Sequence, residues 1–291
     1  MPPFKPMLAD DAIVDQVQYP ILASPKLDGV RATFQQTGEL LTRSLKLLPN
    51  RAAREKWEIT QMLDGELIVG DPNSPTVFRD TMKVVMSHNA DISALRFFAF
   101  DLVGIKAFKE RLAGMQMLVA SQKDMIPVPH VLINNEYELL DLEEKTLTNG
   151  YEGLMLRDPL GPYKFGRSTA REGYLLKVKR KRTGEAEVIN YEEQMHNANE
   201  ATTNALGNTE RSSHQANKVP MGVLGSLLVR DLKTDVEFNV GTGFSADERA
   251  DLWAHRLDLL GKLISYEYLD YGIKDKPRHP TFKGFRAKED M

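Results

Sequence analysis

The chain has 291 residues, a net charge of −3 and no cysteine. The length exceeds one ordinary core, so two domains are expected, and the missing cysteines exclude disulfides, thiolate metal sites and cysteine nucleophiles. The slightly negative charge excludes a polyanion-binding surface spread over the whole molecule and leaves any such surface to a local basic patch. No apolar run is long enough to span a bilayer, and Met1-Pro2-Pro3-Phe4-Lys5-Pro6 lacks the apolar centre of a signal peptide. A cytoplasmic protein without membrane contact is expected.

In chain order, the proline-rich start reads as an extended segment. The apolar run Tyr19 to Ala23 leads into Ser24-Pro25-Lys26-Leu27-Asp28-Gly29, and the alternating Val30 to Phe34 leaves it. This pattern predicts a strand, a turn at Lys26 and a second strand, with Gly29 allowing the tight reversal. A lysine there either decorates a surface turn or points into a cleft, where desolvation or neighbouring cations favour the neutral, nucleophilic amine. Leu40 to Ser44 completes a hairpin around Gly38. The hairpin carries Arg31 and Arg43, whose forked guanidiniums suit phosphate oxygens as well as plain solvent exposure.

Met62 to Val69 is an apolar strand interrupted by Asp64 and Glu66. A carboxylate there needs a partner or a metal, which makes Glu66 a ligand candidate unless the strand lies at an edge. Val77 to Met86 has helical spacing. Leu95 to Val103 is an aromatic strand that sends Phe98 and Phe100 to one face and Phe97 to the other, so that one ring can serve as a shelf for a purine. Lys109 to Gln122 and Glu136 to Thr148 read as helices, the second stopped by Asn149-Gly150. Glu152 opens a further strand through Arg157. A Gly/Pro-rich excursion, Asp158 to Gly173, carries Tyr163, Lys164, Arg167 and Arg171. It leads to a strand in which Lys177 and Lys179 share a face, an arrangement that an anion between them would stabilise.

After Arg182-Thr183-Gly184, four strands are predicted around one helix: Glu185 to Tyr191, Gly222 to Arg230, Val236 to Val240 and Leu263 to Tyr271. That is close to a five-stranded OB barrel. The helix opens on a capping box, Ser245 with Glu248, followed by Leu252, Trp253, Leu257, Leu259 and Leu260. Glu192 to Pro220 reads as a long polar loop whose Arg211 and Lys218 suit duplex phosphates. Gly241 to Ala246 fits a loose G-x-G-x-x-A pattern, but no βαβ unit surrounds it, so it is read as a turn into the capped helix. The six histidines show no ligand or triad spacing.

The ordered series Lys26-Leu27-Asp28-Gly29, Arg43-Ser44, Asp64-Gly65-Glu66, Phe100-Asp101, Glu152-Gly153 and Lys177-Val178-Lys179 resembles the motifs of the covalent nucleotidyltransferases, and among them the ATP-dependent DNA ligases. Met195 to Glu200, Val240 to Phe244 and Arg278 to Arg286 resemble the short phage-type members, so the resemblance covers nearly the whole chain. It implies an α+β fold: a nucleotidyltransferase (adenylation) domain with antiparallel sheets and flanking helices over residues 1–181, then an OB-fold β-barrel DNA-binding domain over 182–291. It also implies ATP and Mg²⁺ as cofactors, nicked double-stranded DNA as partner, and a monomer in the cytoplasm (of a host cell, if phage-encoded).

In such enzymes the lysine at the Lys26 position takes AMP from ATP, passes it to the 5′-phosphate of a nick, and the 3′-hydroxyl then expels it. The resemblance implies nucleotide contacts from Ser24, Pro25, Lys26, Leu27, Arg31, Arg43, Ser44, Glu66, Phe100, Glu152, Lys177 and Lys179. Glu66 and Glu152 would hold the metal or the ribose hydroxyls, Phe100 would stack on adenine, and Lys177 and Lys179 would face the α-phosphate and help keep Lys26 unprotonated. Arg43, Arg211, Lys218 and Arg286 are expected on DNA, Arg43 at the 5′-phosphate. Ligases commonly end the last motif with a dense basic pair, whereas this chain closes on Arg286-Ala287-Lys288-Glu289-Asp290. The pyrophosphate-orienting residue therefore stays open among Arg278, Lys283, Arg286 and Lys288. No extra DNA-binding domain is expected ahead of Lys26. Two alternatives remain: an RNA ligase or mRNA-capping guanylyltransferase of the same superfamily, and a non-catalytic OB-type nucleic-acid-binding protein.

Overall fold

A computed structural model describes residues 4–179, 181–204, 206–207, 209–212, 217–269 and 276–286. The chain divides into two compact units, Met1–Lys179 with Thr203–Asn208, and Arg180–Thr202 with Thr209–Met291. Tyr271 and Lys288 lie outside the described residues.

The first unit opens with β1 (Asp10–Asp11), β2 (Ile21–Pro25), β3 (Val30–Phe34), β4 (Leu40–Thr42), α1 (Arg51–Arg54) and β5 (Leu63–Val69). It continues through α2 (Val77–Val85), β6 (Leu95–Leu102), α3 (Phe108–Val119), β7 (Met125–Pro127) and β8 (Val131–Ile133). It closes with α4 (Glu136–Thr148), β9 (Leu154–Arg157) and β10 (Leu175–Val178). The strands form two five-stranded sheets, β4-β3-β5-β6-β7 and β1-β10-β9-β2-β8. Pairing is antiparallel except for β6 with β7 and β1 with β10. Consecutive strands β2 and β3 belong to different sheets, so the turn at Lys26 is where the chain crosses from one to the other.

Each sheet has its own core. Phe34, Trp57, Leu67 and Phe97 pack on one, and Ile21, Ala23, Leu154 and Leu156 on the other. Two glycines are required by close approach. A Cβ on Gly65 would lie 2.4 Å from the Phe97 ring, and one on Gly29 would lie 2.4 Å from the Leu67 carbonyl oxygen. The helix α4 starts on the Asn135 side chain, which accepts from Glu138 N, and stops before Gly150 at φ +88°. The stop at Asn149-Gly150 is the one expected from the sequence.

The second unit contains β11 (Arg182–Asn197), β12 (Ala201–Thr203), β13 (Thr209–Arg211), β14 (Lys218–Asp231), β15 (Glu237–Val240), α5 (Ala246–Ala254), β16 (Leu263–Tyr268) and β17 (Thr281–Arg286). Its sheet runs β15-β14-β11-β16-β17 over a core of Val188, Leu227, Val229, Phe238 and Tyr266. The expected mixed fold with antiparallel sheets is present.

Three details differ from the sequence reading. The barrel is not closed by a continuous ladder: a single parallel bridge, Thr242 with Thr281, joins the two edges, supported by Phe282 N donating to Thr242 O at 2.9 Å. Glu192 to Pro220 is only partly loop: among its described residues β11 runs on to Asn197, β12 pairs with β13, and β14 begins at Lys218. Beyond Glu192 the β11–β14 ladder carries two register shifts, irregularities of the kind β-bulges make. The last motif is itself a strand, β17. The capping box of α5 is formed as expected, but the helix ends at Ala254, leaving Leu257 and Leu260 exposed. Gly243, at φ +95°, makes the turn into α5, where a Cβ would meet the Phe282 carbonyl oxygen at 2.3 Å.

Candidate nucleotide site

Lys26 is placed by strand pairing. In the β2–β9 ladder Ser24 faces Met155 and Pro25 faces Leu154, and Lys26 N donates to Gly153 O at 2.9 Å. Gly153, at φ +143°, lets the start of β9 pass the end of β10, because a Cβ would lie 2.2 Å from Val178 O. That crossing brings Glu152 between two ammonium groups. Lys26 Nζ donates to Glu152 Oε2, and Lys179 Nζ donates to Oε1 at 2.8 Å. Burial alone would raise the Glu152 carboxyl, but Lys26 and Lys179 outweigh it and hold the group below the usual carboxylate range. Lys177 turns instead to Asp11 Oδ1 at 3.3 Å, its register partner in the β1–β10 pair. The two lysines thus pair with separate carboxylates, and both line the same cavity.

The other sheet supplies the second wall. Arg31 on β3 lies opposite Glu66 on β5. Its guanidinium grips Asp64 through Nε–Oδ1 at 3.0 Å and Nη2–Oδ2 at 2.6 Å, and Nη2 also donates to Met7 O at 2.6 Å. The Tyr163 hydroxyl closes this network: it donates to Asp64 Oδ2 at 2.6 Å and accepts from Met7 N at 3.2 Å. Burial, then Asp64, push the Tyr163 phenol well up. Burial works against the Arg31 charge, yet Asp64 raises its pKa overall. Enclosure pushes the Glu66 carboxyl up to about 7. Lys26 and Arg31 pull against that shift, while Asp64 and Asp28 add to it.

Phe100 is presented by a β-bulge. Asp64 pairs with Asp101 and Gly65 with Ala99, so Phe100 is the extra residue between them. The guanidiniums of Arg31 and Arg157 each lie 5.5 Å from its ring centroid. Behind it, buried Asp101 accepts from Arg111 Nε and Nη2 at 2.9 and 3.1 Å and from Arg157 Nη1 at 2.6 Å. His130 donates from Nδ1 to Val128 O at 2.9 Å, and burial, then Arg157, lower its pKa to about 4.

These walls enclose an open cavity of about 570 Å³, within the range of small-molecule sites. Of the predicted nucleotide contacts, Ser24, Pro25, Lys26, Leu27, Arg31, Arg43, Glu66, Phe100, Lys177 and Lys179 line it. Glu152 sits behind the two lysines it bridges, and Ser44 Oγ lies 3.1 Å from Thr42 Oγ1 without reaching the lining. Met155 and Arg157 line the cavity and escaped the sequence reading. Alternation counted from Glu152 points instead to Leu154 and Leu156, which pack in the core, so the two lining residues sit on the opposite parity.

Among the four expected DNA contacts, Arg43 lines this cavity. The other three belong to the second unit. Arg211 on β13 donates to Asn199 O, Lys218 opens β14, and Arg286 ends β17 with Glu185 3.6 Å away. Lys283 pairs with Glu267 at 3.1 Å. Among the described residues no group of three or more histidines, aspartates or glutamates is placed to hold a metal, and no helix is long and apolar enough to cross a membrane.

Residues 6–179 match the family described as ATP dependent DNA ligase domain, and residues 217–286 match the DNA ligase OB-like domain. The chain is similar to the DNA ligase of Cenarchaeum symbiosum at 29% identity, over 61% of this chain and 34% of that protein. It is also similar to a probable DNA ligase of Sorangium cellulosum at 30% identity, over 62% and 38%. The chain thus spans roughly a third of the length of the curated relatives it matches. Among solved structures, a Lig E DNA ligase described as binding DNA with a minimal scaffold superposes with a TM-score of 0.75 and 26% identity over 97% of this chain and 99% of that one. The Chlorella virus DNA ligase-adenylate gives 0.55 and 32% over 99% of both.

Proposed function

Because the chain belongs to the ATP-dependent DNA ligase family, we propose that it seals 5′-phosphate/3′-hydroxyl nicks in duplex DNA through an adenylate on Lys26. The observation that carries this reading is the Lys26–Glu152–Lys179 array, whose two lysines line the cavity where one sheet hands the chain to the other. Lys26 Nζ forms a bond to the α-phosphorus of ATP while the bond to the β-phosphate oxygen breaks and pyrophosphate leaves. The Nζ proton is given up to solvent before attack, and Glu152 Oε2, already in contact with Nζ, holds the amine in position. Lys177 and Lys179 stabilise the equatorial oxygens, the main demand of phosphoryl transfer. Phe100 carries the adenine, and Glu66 and Arg31 lie where the ribose and phosphates would be held.

In the second step the phosphorus–nitrogen bond breaks as an oxygen of the nick's 5′-phosphate takes the AMP, with Arg43 on the lining to hold that phosphate. In the third, the 3′-hydroxyl attacks and AMP leaves. The first unit performs the chemistry, and the OB-like unit, with Arg211, Lys218 and Arg286, contacts the duplex.

Magnesium suits this donor set. Of the two expected carboxylates, Glu66 lines the cavity while both oxygens of Glu152 are held by Lys26 and Lys179, so Glu66 would be the first to hold Mg²⁺, which keeps waters and takes one or two carboxylates together with substrate phosphates. When bound, it offsets negative charge on the phosphates.

The test is to incubate the chain with ATP labelled at the α-phosphate and Mg²⁺, denature it, and look for label on the protein. Acid-labile label from ATP, lost in K26A, supports the reading. Label from GTP would move it to capping, and no label from either would leave a binding protein.

A further inference from the structure

We propose that Arg157 is a specificity-determining residue that donates to a ring nitrogen of the bound purine. This rests on the nucleotide-site reading above and adds the group that reads the base.

The alternation of β9 sends Leu154 and Leu156 into the core of the β2 sheet, while Met155 and Arg157 line the cavity. Arg157 lies two strand positions beyond Met155, further along from the Lys26 turn, with Leu22 and Leu175 opposite it on the flanking strands. It is 3% exposed, and its guanidinium centre lies 5.5 Å from the Phe100 centroid and 4.8 Å from that of Phe108.

A guanidinium has five N–H donors. Arg111, its neighbour on Asp101, spends its own on both Asp101 oxygens and on the carbonyls of Lys106 and Gly161 at 2.5 and 2.9 Å. Arg157 gives one, Nη1 to Asp101 at 2.6 Å, and its other donors meet no acceptor among the described residues. Two guanidiniums on one carboxylate leave surplus positive charge beside the aromatic shelf. Charged donors gain most from an acceptor out of bulk water, and the one place a ligand acceptor can meet them is the cavity that Arg157 lines.

The surroundings select the kind of acceptor. The lysine cluster that suits phosphates is built around Lys26, whereas Arg157 sits among Phe100, Met155 and Leu175, which suit a flat ring. A purine lying on Phe100 offers N1, N3 and N7 as acceptors at its edge, and a fixed, always charged donor fork discriminates rings by those positions.

Lys26 labelling in the full chain would be followed with ATP and with 1-deaza-, 3-deaza- and 7-deaza-ATP, in wild type, R157M and R157K. Failure of wild type to label with ATP itself would count against the nucleotide reading, separately from the Arg157 assignment. The expected result is that one analogue loses about ten- to a hundredfold in kcat/KM in wild type, the scale of a hydrogen bond to a charged group. That penalty should collapse in R157M and shrink in R157K. R157K keeps a cation beside Asp101, so the comparison stands if R157M does not fold. No penalty for any analogue in wild type, or the same penalty in wild type and the folded variants, would overturn the assignment.

Discussion

Replacing Glu66 with Gln removes a carboxyl whose ionisation the fold resists, and the resistance has a computable size. Burial is the main cause, and it lifts the group from an ordinary 4.5 to about 7. Each unit corresponds to about 1.4 kcal/mol of differential interaction, so the displacement is worth roughly 3 kcal/mol. The sign follows from proton counting. Between about pH 4.5 and 7 the folded chain holds a proton that the unfolded chain has released, so this contribution to stability is complete below 4.5 and is lost as pH rises through 7.

E66Q lacks that slope. Relative to wild type it should be near-neutral at pH 4.5 and more stable by up to about 3 kcal/mol at pH 8, roughly 6–12 °C in the melting of a unit of this size. Circular dichroism melts of the nucleotide-free chain across this range, read as the difference between variant and wild type, cancel every other titrating group. Lys26 labelling in the same samples should fall while stability at pH 8 rises. Parallel stability curves for the two proteins would refute the argument that enclosure holds the proton on Glu66.

Two further substitutions separate chemistry from scaffold. E152Q takes away the carboxylate that Lys26 and Lys179 share; labelling should slow by about a hundredfold and stability should drop by about 2 kcal/mol at neutral pH. Because Glu152 is held below the usual carboxylate range, the stability gap should close as pH falls through its titration, and a gap that widened in acid would contradict the pairing. Y163F removes the hydroxyl joining Asp64 to Met7 N. It should cost about 1–3 kcal/mol in a thermal or urea melt while Lys26 still labels at saturating ATP, and abolished labelling in a folded Y163F would place Tyr163 in the chemistry instead.

Much of the site was legible because it depends on local periodicity and on glycine. Lys26 at the exit of β2, the hairpin turning at Gly38, and Phe97 facing away from Phe98 all follow from alternation and turn chemistry. What escaped reading depends on partners distant in sequence. That Lys177 would turn to Asp11 requires the parallel β1–β10 pairing, which no periodicity announces. The Phe100 bulge arises in its register with β5, and the sequence of β6 alone reads as a regular strand. The burial of Arg157 depends on Asp101 and Arg111, which come from other elements and share one carboxylate with it. The β11–β14 ribbon was hidden because exposed strands need no apolar face, and the polar residues that suggested a loop are compatible with either form.

The crossing of the chain between sheets at Lys26 has a thermodynamic consequence. The two sheets of the first unit pack on separate cores, and a nucleotide bonded to Lys26 while resting on Phe100, as proposed, would grip one element from each side of that crossing. An ordinary ligand rivets such halves together only in proportion to its free concentration. A covalent adenylate carries no such dependence: once formed, dilution cannot loosen it, and each chain keeps its rivet until the AMP is handed on. On the proposed function, turnover would therefore alternate between a chain that holds its nucleotide by a bond and one that does not, a switch set by bond chemistry rather than by nucleotide supply.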